Sequence, residues 1–116
     1  ARMFTPAKTV SYESTVALFA AQAMAGRPLL TGPVNLQMRV DFAIPASWSM
    51  KKQRAAEAGL ILPTVKPDAD NVAKILCDAI NGVVWKDDVQ VVDLTVKKRY
   101  SVVPGVAVRI ELVEVA

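Results

Sequence analysis

Histidine is absent from the 116-residue sequence, and cysteine occurs once, as Cys77. The first absence excludes Ser-His-Asp and Cys-His catalysis, His-ligated zinc and imidazole general bases. The second excludes an internal disulfide and a thiolate metal cluster. Cys77 has apolar neighbours and reads as a small buried side chain. One lone cysteine makes the reducing cytoplasm the default compartment. No apolar run reaches the roughly 18 residues of a membrane span, and the start Ala1-Arg2-Met3-Phe4 lacks a signal-peptide layout. Any chemistry is therefore left to carboxylates, Lys, Arg and hydroxyl groups.

Hydrophobic residues make up 53% of the chain and charged residues 22%, a balance that excludes a disordered tract. The length suits one domain, residues 1–116, with a core that needs no staple. The net charge of +3 says little by itself. Its distribution says more. Residues 1–54 hold seven basic side chains against two acidic ones, Glu13 and Asp41, whereas most acids lie between Asp68 and Asp93. A basic surface around a concentrated acidic site suits an enzyme that holds a polyanion and places metal ions on it, although a mixed solvated surface has the same composition.

Tyr12, Val16, Phe19 and Ala23 recur at helical spacing, and Gly26-Arg27-Pro28 supplies a stop, so a helix is predicted from about Thr9 to Ala25. Val34, Leu36, Met38, Val40, Phe42 and Ile44 alternate with a largely polar set, the clearest strand in the chain. Ser47 to Gly59 reads as a short helix with Ser47 as N-cap and Lys51, Lys52 and Arg54 near one side. Pro63 to Pro67 is a stiff extended approach to a further helix, capped by Asp70 or Asn71, striped by Val72, Ile75, Leu76 and Ala79, and closed by Asn81-Gly82. Two strands follow, about Gln90–Arg99 and Val106–Val115, and Pro104-Gly105 between them predicts an antiparallel hairpin. The expected fold class is α/β (α+β), one small mixed sheet with helices packed against it.

The informative segment is Lys66-Pro67-Asp68-Ala69-Asp70-Asn71. In an extended chain, positions i and i+2 point the same way, so Asp68 and Asp70 would project together. Two carboxylates that close repel unless a divalent cation lies between them or one takes up a proton. Magnesium or manganese prefers such oxygen ligands and can polarise a phosphodiester. Lys74, four residues after Asp70, would orient a phosphate or stabilise charge as it develops, or else form an ordinary i,i+4 ion pair. Asp78 extends the stripe, with a mainly structural role beside Lys74. Asp87-Asp88 is a second acidic pair, either a polar turn or a contribution to the same pocket from another element. Trp85 reads as core, and Trp48, beside the basic helix, as the weaker of two candidates for stacking on a base.

The D-x-D-N-x-x-K element (Asp68, Asp70, Asn71, Lys74) and the W-x-D-D-x-Q-V element (Trp85, Asp87, Asp88, Gln90, Val91) together resemble the RusA family of Holliday junction resolvases, often carried by prophages. Thr5-Pro6-Ala7-Lys8-Thr9 with Tyr12-Glu13 looks like that family's approach to its first helix. The resemblance implies a magnesium-dependent endodeoxyribonuclease, with manganese a possible substitute, acting as a homodimer on four-way DNA junctions in recombination and repair. Carried over by position, Asp68, Asp70 and Asp88 match the metal-binding carboxylates and Lys74 the catalytic lysine, with Asp87 in support. Arg2, Lys8, Arg27, Lys51, Lys52 and Arg54 are the expected phosphate contacts. The family also opens with a further strand, of which Ala1-Arg2 looks like the remnant. Other branched DNA, such as flaps or forks, and a non-catalytic DNA-binding module are the competing readings.

Overall fold

The computed structural model describes residues 2–4 and 12–114. The elements in chain order are β1 (Arg2–Phe4), α1 (Tyr12–Met24), β2 (Val34–Ala43), α2 (Met50–Glu57), α3 (Ala69–Ile80), a single 3-10 turn (Asp88–Gln90), β3 (Val91–Ser101) and β4 (Gly105–Leu112). This is a small α+β fold with one mixed sheet of strand order β1-β4-β2-β3. β1 pairs antiparallel with β4, so Arg2 and its neighbours already form a fourth strand.

The alternation of β2 decides the architecture. Val34, Leu36 and Met38 are at most 2% exposed, while Gln37 and Arg39 on the other face are exposed. A strand with one apolar face packs that face against helices and leaves the other to water. Val16 of α1, Val72, Leu76 and Ile80 of α3, and Trp85 join the β2 residues in one buried cluster. Each fully buried aliphatic side chain stabilises the fold by about 1.5–3 kcal/mol.

The expected hairpin between the last two strands does not form. β2 lies between them, parallel to β3 and antiparallel to β4. Residues 102–104 carry the chain across the end of β2. Four residue steps span at most about 14 Å, enough for two strand spacings of roughly 4.8 Å. The turn signal at Pro104-Gly105 fixed the reversal of direction; it could not show that a third strand fills the gap.

Smaller corrections concern caps. Ser49, not Ser47, caps α2, its hydroxyl accepting from the Lys52 amide at 3.2 Å. Asp68, not Asp70 or Asn71, occupies the N-cap position of α3. The approach to α3 bends at residues 65–67 instead of staying extended. Gln90 belongs to the 3-10 turn, and β3 begins at Val91.

Candidate functional site

α3 carries the site, and its two ends differ. At its start, Asp68 has extended backbone (φ −67°, ψ 151°) and makes no side-chain capping bond. Asp70, in the first turn, accepts the Asn71 amide at 3.0 Å. Both are exposed. The chain becomes helical between them, so the extended-chain argument covers Asp68 alone, but both carboxylates stand at the open helix N-terminus. The unpaired amides and dipole there favour negative charge and anion binding. Lys74 lies one turn further along and is exposed. Among the described residues the ion pairs are Arg39–Asp41 and Arg109–Glu111, so Lys74 is tied to neither Asp70 nor Asp78.

Asp88 is at the other end. Asp70 and Asn81 are eleven positions apart, about 16 Å at ~1.5 Å per helical residue. Asp88 interacts with Asn81, Asp87 and Asp78. Its pKa is raised, chiefly by a side-chain hydrogen bond with Asp87, then by desolvation and the Asp87 charge; the Asn81 side chain opposes the rise. Carboxylates that share one ion must approach within a few ångströms of each other. Among the described residues of one protomer, no group of three acidic or cysteine side chains does so. Within one protomer Asp68 and Asp70 share the start of α3, whereas the groups that act on Asp88 belong to the end of that helix and to the 3-10 turn.

This second end is braced. Trp85 is fully buried, its indole N–H donating to the Asn81 side-chain oxygen at 2.6 Å. The ring is therefore core and unavailable for base stacking. Asp87 caps the 3-10 turn by accepting the Val89 amide at 3.1 Å, and the Gln90 side chain accepts the Asp87 amide at 3.2 Å. Cys77 sits beneath, 9% exposed. Burial pushes its thiol up to about 11, with the Asp88 and Asp78 charges adding to the effect.

The basic residues fall on separate elements. Arg2 is in β1, and Lys8 lies outside the described residues. Arg27 turns back on α1, donating to the Met24 and Ala23 carbonyls at 2.9 Å each, a helix C-cap. Lys51, Lys52 and Arg54 share α2. The Lys52 ammonium sits 4.0 Å above the Trp48 ring, and that ring meets Tyr100 edge-on at 5.3 Å. Trp48 thus anchors the basic helix to β3. Lys98 donates to the Val65 carbonyl, tying the approach to α3 onto the sheet.

Asn81 and Gln90 were missed as site residues from sequence. Asn81 read as a helix stop. Gln90 had a visible signal, since a Gln three residues after an Asp N-cap has capping-box spacing.

The family model described as Endodeoxyribonuclease RusA matches residues 1–111. A relative from Bacillus subtilis (strain 168), described as the uncharacterized protein YqaN, is 46% identical over 112 residues, covering 93% of this chain and 77% of the relative.

Proposed function

Because the chain belongs to the RusA endodeoxyribonuclease family, we propose that it is a divalent-metal-dependent nuclease that resolves four-way DNA junctions by symmetric paired nicks, working in the cytoplasm as a homodimer. The observation that carries this reading is the exposed pair Asp68 and Asp70 at the open N-terminus of α3, with the unpaired Lys74 one turn on. The donor set is hard oxygen without histidine or thiolate, which suits magnesium, or manganese in its place. When bound, the ion supplies a Lewis acid that polarises the phosphodiester and neutralises the leaving oxygen.

The chain's own residues do the rest. Asp68 and Asp70 hold the ion at the helix start. Lys74 presents an ammonium group that stabilises charge developing on the scissile phosphate. Lys51, Lys52 and Arg54 on α2, with Arg2, Lys8 and Arg27, meet backbone phosphates, so affinity falls as salt rises.

The position of Asp88 against Asn81 and Asp78, at the end of α3 away from Asp70, supports the dimer. A two-fold axis across the middle of α3 would lay two copies of this helix antiparallel. Ile75, midway along it, is an exposed apolar residue of the kind such a contact needs. The partner's Asp88 would then stand beside Asp68 and Asp70, so each site draws on both chains.

The test is cleavage of a synthetic four-way junction beside linear duplex, a flap and a fork, with magnesium and with EDTA, for the wild type and Asp70→Asn. Paired nicks confined to the junction, lost with EDTA and with the variant while binding persists, are expected. Cleavage by Asp70→Asn contradicts the metal-site assignment. Preference for flaps or forks replaces the substrate, and binding without any cleavage leaves a DNA-binding module.

A further inference from the structure

The Gln90 side chain does more than cap a turn. Its oxygen accepts the Lys86 and Asp87 amides at 3.0 and 3.2 Å. Its amide nitrogen donates to the Leu30 and Gly32 carbonyls at 3.0 and 3.1 Å. The second pair of bonds reaches residues about sixty positions earlier, in the segment that leads into β2. That segment is itself fixed to the turn after α3, since the Leu30 amide donates to the Val84 carbonyl at 2.7 Å.

A cap alone needs only an acceptor, and glutamate serves as well as glutamine there. The two donated bonds need the amide. We propose that Gln90 is a positioning residue for Asp88: its amide straps the Asp87-Asp88 turn to the Leu30–Gly32 segment and so fixes where the Asp88 carboxylate is presented. The inference rests on the reading of Asp88 as a metal ligand. Groups that orient a ligand from behind commonly change metal affinity or activity by about 10–100-fold when replaced.

Gln90→Glu separates the two roles. It keeps both accepted bonds and removes both donated ones, turning a carboxylate oxygen toward two carbonyl oxygens. Gln90→Leu removes all four. Mn2+ affinity would be measured by calorimetry on wild type, Gln90→Glu, Gln90→Leu and Asp88→Asn, with thermal unfolding midpoints and the magnesium dependence of junction cleavage alongside. The expected result is Mn2+ binding weakened about tenfold or more by Gln90→Glu, with folding kept and cleavage largely recovered at high magnesium. Unchanged Mn2+ affinity in Gln90→Glu, while Asp88→Asn loses it, overturns the strap and leaves the ligand reading standing. Unchanged affinity in Asp88→Asn overturns the ligand reading, and with it the strap.

Discussion

The two ends of α3 carry the same kind of side chain in opposite settings. Asp68 and Asp70 stand exposed on an open helix start; Asp70 accepts the Asn71 amide, Asp68 makes no side-chain cap, and neither is in an ion pair among the described residues. Asp88, beyond the far end, sits among the Trp85–Asn81 bond, the Asp87 cap and the four bonds of Gln90. Exposed carboxylates kept ionised by a positive helix terminus, with lone pairs unused and no cationic partner, have oxygens free to bind a metal ion. A carboxylate held by its surroundings is suited to being delivered to one. Replacing residues at the open end should therefore cost chemistry without stability, and replacements around the braced end should cost stability.

The largest expected effect at the open end is Asp70→Asn, which abolishes junction cleavage while the unfolding midpoint stays near wild type; a large fall in the midpoint would erase the contrast. At the braced end, Trp85→Ala removes a fully buried ring and should destabilise by about 3–5 kcal/mol, read by urea denaturation. Asn81→Leu should cost about 1–3 kcal/mol, because the Trp85 indole N–H loses its acceptor in a buried setting. Asp88→Asn goes the other way. Its pKa is raised in the fold, so ionisation there opposes folding. The variant should be slightly more stable at neutral pH, and the gain should vanish as pH falls and the carboxyl is protonated in both states. The smallest effect is a non-reaction: Cys77, its thiol up near 11, should resist iodoacetamide at pH 8 in the native chain and react once urea unfolds it.

Local pattern made much of this legible. The alternation in β2 is a period-two signal with one apolar face, and every inward residue from Val34 to Met38 is buried. Trp85 read as core and is fully buried. The stripe of α3 held except at Ile75, which faces outward. What failed depends on elements distant in sequence. No feature of Gln90–Val115 states that β2 separates the last two strands. Nothing in the sequence states that Asp88 is set against Asn81 and Asp78, at the far end of α3 from Asp70. The Gln90 strap closes a loop of some sixty residues, and only its capping half has a local signature.

The most direct measurement is complementation between two inactive chains. Asp70→Asn and Asp88→Asn proteins would be mixed, allowed to exchange subunits, and assayed for nicking of a four-way junction with magnesium. If each site draws Asp68 and Asp70 from one chain and Asp88 from the other, a mixed dimer has one intact site. Nicking should then return to about a quarter of the wild-type level, from half the dimers with one site of two, as single and not paired cuts. No activity at any mixing ratio, with exchange confirmed, would contradict the shared site and require all three carboxylates to meet within one chain.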